Sequence, residues 1–526
     1  AQAHRLIPNL SGPPLRMLRA SRSIGASAVR HVGNGMMPLE QMRGATETQE
    51  TPSIPELVEG IGFGYGQVVA IVVACGLFFA EGLELLLVSM ISESIDRDVG
   101  VQGYHQASYL ISSIVFGAFL GNLLCGPFAD LAGRQHPIVL GYTLVVVFSV
   151  WSSFMNSLLS ISLLRFFVGL GFGLGQPAAI ALVNEVVPKA WRFAGTCCSS
   201  LLFGIGACLA VLLVMLNHSW LDEINVTEWR LLLRCAAVPV GILGLSSLFS
   251  LPESPSFLAA SGDYALARDV LARLRLQNGG QTRRREAFRT SEDKNRQLHA
   301  PCLSTFGRLF ELPVLPQTLL LCVTTLVLNF ALYGSGYVVP QVLSQVLPTE
   351  RVFLAPTSVL LLALILAGIF LAGCIVWGTS VGPKAGLMMC LTISLFSAFL
   401  FCWTTDITGP SSLVQRLLLI PACFGLCCGP TFGILFLVQV SVSLYPTLAS
   451  ATGVAVCLAL GRLGALTAPL LFGAMQDATG AWQPFFVVMG CLELGSVLVL
   501  TLLDVSPAEP ELAVSAQPHP SKSGAP

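Results

Sequence analysis

Charge is scarce in this 526-residue sequence: Asp, Glu, Lys and Arg make up 11% of it, where a soluble domain carries about 25%. With 54% hydrophobic residues, that scarcity excludes a water-soluble globular protein. Apolar runs of the roughly 20 residues a helix needs to cross a bilayer recur along most of the chain. The sequence also lacks a nucleophile paired with a base, a cluster with metal-ligand spacing and a phosphate-cradling glycine loop, so neither an enzyme nor a bound metal or cofactor is expected. Cysteine is absent from the short connections read as outward-facing. The 16 cysteines sit almost wholly inside apolar runs, as at Cys75, Cys208, Cys374 and Cys457, which excludes a disulfide framework. The pairs Cys197/Cys198 and Cys427/Cys428 read as small buried hydrophobes. A net charge of -1 gives no reason to expect nucleic acid.

What is present is hydropathy. It predicts an all-α membrane protein with twelve spans, at 66–92, 103–127, 137–157, 160–183, 194–217, 230–250, 315–339, 356–378, 384–404, 413–439, 451–474 and 482–503. The polar segment 251–313 divides them six and six, and its arginines place it in the cytosol with both termini. The expected organisation is a basic tail 1–65, a bundle 66–250, a linker 251–313, a bundle 314–503 and a tail 504–526. Acceptor patterns for glycosylation begin at Asn217 and Asn225, on the predicted outer face. The tail has Arg5, Arg16, Arg19, Arg22 and Arg30 and no acid before Glu40. That composition is shared by transit peptides, and the favoured reading is a basic cytosolic tail on an anionic membrane. The halves echo each other: "GLGFGLGQPAAIALVNEVVPKAWRFAG" lies on "CCGPTFGILFLVQVSVSLYPTLASATG", pairing Gly171, Gly175, Pro188 and Gly195 with Gly429, Gly433, Pro446 and Gly453. A duplication of six spans accounts for this.

After the second span, "GPFADLAGRQ" at 126–135 resembles the loop signature of the major facilitator superfamily. Gly126, Asp130, Gly133 and Arg134 match it, while Leu131 and Gln135 stand where the family has basic residues. "NEVVPKAWR" is similar to a second family motif through Glu185, Pro188 and Arg192, and "LPESP" to a third through Pro252, Glu253 and Ser254. "VEGIGFGYGQ" at 58–67 followed by "AEGLE" resembles the branch related to synaptic vesicle glycoproteins, among organic-ion and sugar carriers. The resemblance implies two pseudo-symmetric six-helix bundles rocking about a central cavity, with Asp130, Arg134, Glu185, Arg192 and Glu253 in a cytosolic network that latches the halves.

Two acids, Glu81 and Glu84, fall within the first span. A charge at mid-bilayer costs about 2.5–3.5 kcal/mol on insertion scales, and residues three apart share a helix face, so both are expected to point together into the protein interior. As membrane-embedded acids they read as proton or cation sites; the competing reading is a buried salt bridge with Arg165 or Arg462, either of which could instead bind an anionic solute. Gln176 and Asn329 read as cavity-lining or inter-helix polar groups. The favoured function is transport of a small organic solute, an organic cation ahead of others, as a monomer in the lipid bilayer with proton symport. The alternatives are an organic-anion or sugar carrier, or a carrier-fold receptor that moves nothing. The destination is the plasma membrane or an endomembrane vesicle, with organelle targeting by the tail the other route.

Overall fold

The computed structural model describes residues 53–99, 106–217, 228–280, 315–346, 382–405, 413–444 and 450–502. Among them the chain is all helix: α1 (Ile54–Ile61), α2 (Tyr65–Val99), α3 (Gln106–Ala132), α4 (Gln135–Ser152), α5 (Leu158–Val186), α6 (Lys189–Asn217), α7 (Glu228–Ser250), α8 (Pro255–Ala260), α9 (Tyr264–Gln277), α10 (Leu315–Val346), α11 (Pro383–Thr404), α12 (Leu413–Leu444), α13 (Ser450–Thr479) and α14 (Gln483–Leu502). Eleven are long and apolar enough to cross a membrane and match eleven of the twelve expected spans. The eighth, 356–378, lies outside the described residues, as do Asn225 and most of the expected tails. Asn217 is the last residue of α6.

Helices α2 to α7 form one bundle and α10 to α14 belong to the other. In the first, α3 and α5 cross at backbone contact: a Cβ on Gly117 would strike the carbonyl of Phe166, and one on Gly169 the carbonyl of Ile114. Small residues are how membrane helices gain packing that lipid cannot supply. The repeat read from the sequence reappears as matched contacts. Gly175 of α5 faces Leu77 of α2, and its counterpart Gly433 of α12 faces Leu328 of α10, the first helix of each half receiving a leucine-into-glycine contact. Across the halves, α13 packs on α3 and α5.

The segment before the first span is not all tail. Residues 54–61 fold as α1, starting with Pro55 in its first turn and ending at Gly62 with φ 75°, a left-handed turn that favours glycine. Its Leu57 and Val58 are buried with Leu258 of α8 and Ala267 and Leu271 of α9. The buried Gln67 donates to the Gly62 carbonyl at 3.1 Å and accepts from Gly64 N–H at 3.1 Å and from Asn278 Nδ2 at 2.8 Å. Asn278 in turn accepts from Gly66 N–H at 3.1 Å. Glu59 accepts from the backbone N–H of Lys189 at 2.6 Å, and Phe63 stacks on Trp191 with centroids 4.5 Å apart. The "VEGIGFGYGQ" stretch therefore seats α1 on the linker helices and on the start of α6. The polar segment 251–313 begins with these two helices, α8 and α9.

Candidate functional site

Among the described residues, two buried polar clusters each contain one of the acids Glu81 and Glu84 of α2. At the first, Glu84 accepts from Arg165 Nη1 and from Ser149 Oγ, each at 2.5 Å, and Arg165 Nη2 donates to Ser152 Oγ at 3.0 Å. All four are buried and belong to α2, α4 and α5 of one half. A buried ion pair with every partner satisfied is a structural arrangement first: removing one partner strands a charge in low dielectric.

At the second, Glu81 is met by donors from three helices. Arg462 of α13 reaches its Oε1 at 2.5 Å, Tyr333 of α10 reaches the same oxygen at 3.1 Å, and Gln176 of α5 donates to Oε2 at 2.7 Å. The network closes on itself: Arg462 Nη2 donates to Gln176 Oε1 at 2.8 Å, and Nη1 to the Tyr333 hydroxyl at 2.5 Å. Glu81 and Gln176 come from the first half, Tyr333 and Arg462 from the second. This ion pair therefore spans the boundary between the bundles, while the Glu84 pair does not touch it.

The expectation that Glu81 and Glu84 point together is corrected here. Three residues along an α-helix turn the side chain by about 300°, leaving the two about 60° apart, enough to send one carboxylate to α4 and α5 and the other to the boundary. Arg165 and Arg462 both find the salt bridges held open for them, one with each acid. Gln176 and Arg462 sit together with Glu81. Asn329 is buried and donates to the Thr325 carbonyl of its own helix at 2.9 Å, one turn from Tyr333 and outside the network. Sequence reasoning missed Tyr333, Ser149 and Ser152; the available signal for Tyr333 was its spacing of four from Asn329, which puts both on one face of α10.

The linker-side network is built around Arg134. Gly133 takes φ 91°, turning the chain from α3 into α4. The start of α4 is capped by Glu253, which accepts from the N–H groups of Arg134 at 2.8 Å and Gln135 at 3.0 Å, a carboxylate on a helix N-terminus. The Arg134 guanidinium donates to the Ala129 carbonyl at 3.0 Å and to Glu185 at 3.2 Å, lies 3.7 Å from Asp130, and covers the Phe257 ring at 5.0 Å. Arg192 donates to the Val187 carbonyl at 3.2 Å, around the break that Pro188 makes between α5 and α6. Gly126 lies inside α3. The partners of Arg134 and Glu253 among the described residues tie α3, α4 and α5 to the start of the linker.

Comparison with known proteins matches this architecture. The profile described as "Sugar (and other) transporter" matches residues 69–503. A 4-hydroxybenzoate transporter of Acinetobacter baylyi is 26% identical over 84% of this chain and 90% of its own. The putative transporter svop-1 of Caenorhabditis elegans is 28% identical, over 43% of this chain and 42% of its own length. A solved structure of a proton:xylose symporter of the major facilitator superfamily superimposes with a TM-score of 0.62 at 16% identity, covering 84% of this chain and 96% of that one, which establishes likeness of fold. The protein is thus a multi-pass membrane transporter of a small solute, and the chain belongs to the sugar (and other) transporter family, within the major facilitator superfamily.

Proposed function

We propose that the protein carries a small organic anion by alternating access, with Arg462 as the cation that binds it and Glu81 as the internal carboxylate that holds Arg462 when no solute is there. The observation that carries this reading is the convergence of Arg462, Tyr333 and Gln176 on one carboxylate. Three donors from three helices are already arranged around a carboxylate, and a guanidinium is suited to grip such a group. Protonation of Glu81 would weaken its hold on Arg462 and free those donors for a carboxylate arriving from solution. One anion and one proton then cross as an electrically neutral pair, which avoids carrying net charge through a low-dielectric core.

The organic cation expected from the sequence rested on the two membrane-embedded acids, with Arg165 and Arg462 as competing partners. Each acid has a guanidinium beside it, which favours the anion reading. A sugar would call for a neutral hydrogen-bonding array, and the centre of this site is an ion pair. The relative named for 4-hydroxybenzoate, an aromatic carboxylate, supports the anion reading.

The test is thermal unfolding of the detergent-purified protein with 4-hydroxybenzoate, its uncharged amide, a tetraalkylammonium ion and xylose. A ligand at a hundred times its Kd stabilises by about 2.7 kcal/mol. The carboxylate should raise the midpoint, Arg462→Gln should remove the effect, and Glu81→Gln should bind the carboxylate more tightly because the internal competitor is gone. Stabilisation by the ammonium ion or the sugar alone would overturn the anion assignment. Counterflow in proteoliposomes then decides between a carrier and a receptor that binds without flux.

A further inference from the structure

We propose that Cys322 and Cys457 are an oxidation site, and that the disulfide they form arrests the carrier. The regulatory half of this rests on the reading of the Glu81–Arg462 network as the solute site. Cys322 on α10 and Cys457 on α13 are buried reduced thiols whose sulfurs lie 3.9 Å apart. Both stand seven residues from the linker-side ends of their helices, Leu315 and Ser450, a depth of about 10 Å at 1.5 Å per residue. These two helices also supply the second half's share of the network, Tyr333 and Arg462.

The same seam continues upward from the sulfurs. A Cβ on Gly461 would come 2.5 Å from Asn329 Nδ2 and 2.8 Å from Thr325 Cγ2, and one on Gly464 would strike the Leu326 carbonyl. The helices are therefore already at backbone contact just above the thiols. A disulfide needs its sulfurs about 2.05 Å apart, a gap that rotation of the two side chains can close, and the bond then ties α10 to α13 below the glycine contact. With the helices already in contact at Gly461 and Gly464, a covalent tie at the thiols fixes α10 against α13, the two helices that carry Tyr333 and Arg462, and opposes any rearrangement of that seam during the transport cycle.

The chemistry balances with a peroxide as the named oxidant. The Cys322 sulfur attacks one peroxide oxygen, breaking the O–O bond to give a sulfenic acid and one water; the Cys457 sulfur then attacks the sulfenic sulfur and expels a second water. Two thiols are oxidised to one disulfide while hydrogen peroxide is reduced to two waters.

The experiment treats wild type, Cys322→Ser and Cys457→Ser in proteoliposomes with hydrogen peroxide, then maps non-reduced peptides and measures 4-hydroxybenzoate counterflow before and after dithiothreitol. Expected are a 322–457 peptide pair in wild type alone, loss of counterflow in wild type alone, and its return on reduction. Failure to find that pair under conditions that oxidise other cysteines of the chain would overturn the site. A pair formed with counterflow unchanged would overturn the arrest and leave the carrier reading intact. Absence of counterflow from reduced wild type would count against the carrier reading, and the arrest with it, while the peptide pair would still decide the oxidation site.

Discussion

Glu81 and Glu84 differ in what their loss should do, because one bridges the halves and the other is sealed inside one of them. Arg165 is 1% exposed and its partner Glu84 not at all, so Arg165→Leu leaves a buried carboxylate uncompensated and should destabilise the protein by about 3–5 kcal/mol. The double variant Glu84→Leu/Arg165→Leu removes both charges and should recover much of that loss; a double-mutant cycle on thermal midpoints reads the coupling. The Glu81–Arg462 pair should behave differently. Exchanging the charges, Glu81→Arg with Arg462→Glu, is expected to restore folding yield relative to either single change yet not transport, since the guanidinium would then project from the wrong half. Expression level and counterflow measured together check both parts. That the acids were special was legible from the cost of charge in a membrane; which arginine each would take depended on a rotation of about 60° and on what stood opposite.

At the scale of helices, glycine decides how closely α3 and α5 approach. Gly117→Leu puts a branched side chain against the Phe166 backbone, where no flexible neighbour can give way, and should lower the thermal midpoint by several degrees or prevent assembly, whereas Gly473→Leu, with open space around it, should not. The comparison of midpoints in one detergent is the measurement. The glycine runs were readable in sequence as packing sites; which pairs meet was not. The segment before the first span was read as tail because its apolar face is only a few residues long. It folds as α1 because Leu57 and Val58 find Leu258, Ala267 and Leu271, and because Gln67 and Asn278, 211 residues apart, satisfy each other and the glycine-rich turn between α1 and α2.

For the whole molecule, the composition, the span pattern, the division at the linker and the internal repeat were all determined by the sequence alone, since crossing a bilayer demands long apolar helices and a duplicated gene leaves its glycines and prolines in register. The matched contacts of Gly175 with Leu77 and Gly433 with Leu328 are that repeat in three dimensions. Only the tertiary structure decided that Arg134 and Glu253 bind within one half and the linker, that Arg165 pairs with Glu84, and that Tyr333 and Arg462 cross to meet Glu81. These are contacts between residues 51 to 381 positions apart, and hydropathy and spacing, which act over a few helical turns, carry no information about which distant faces will touch.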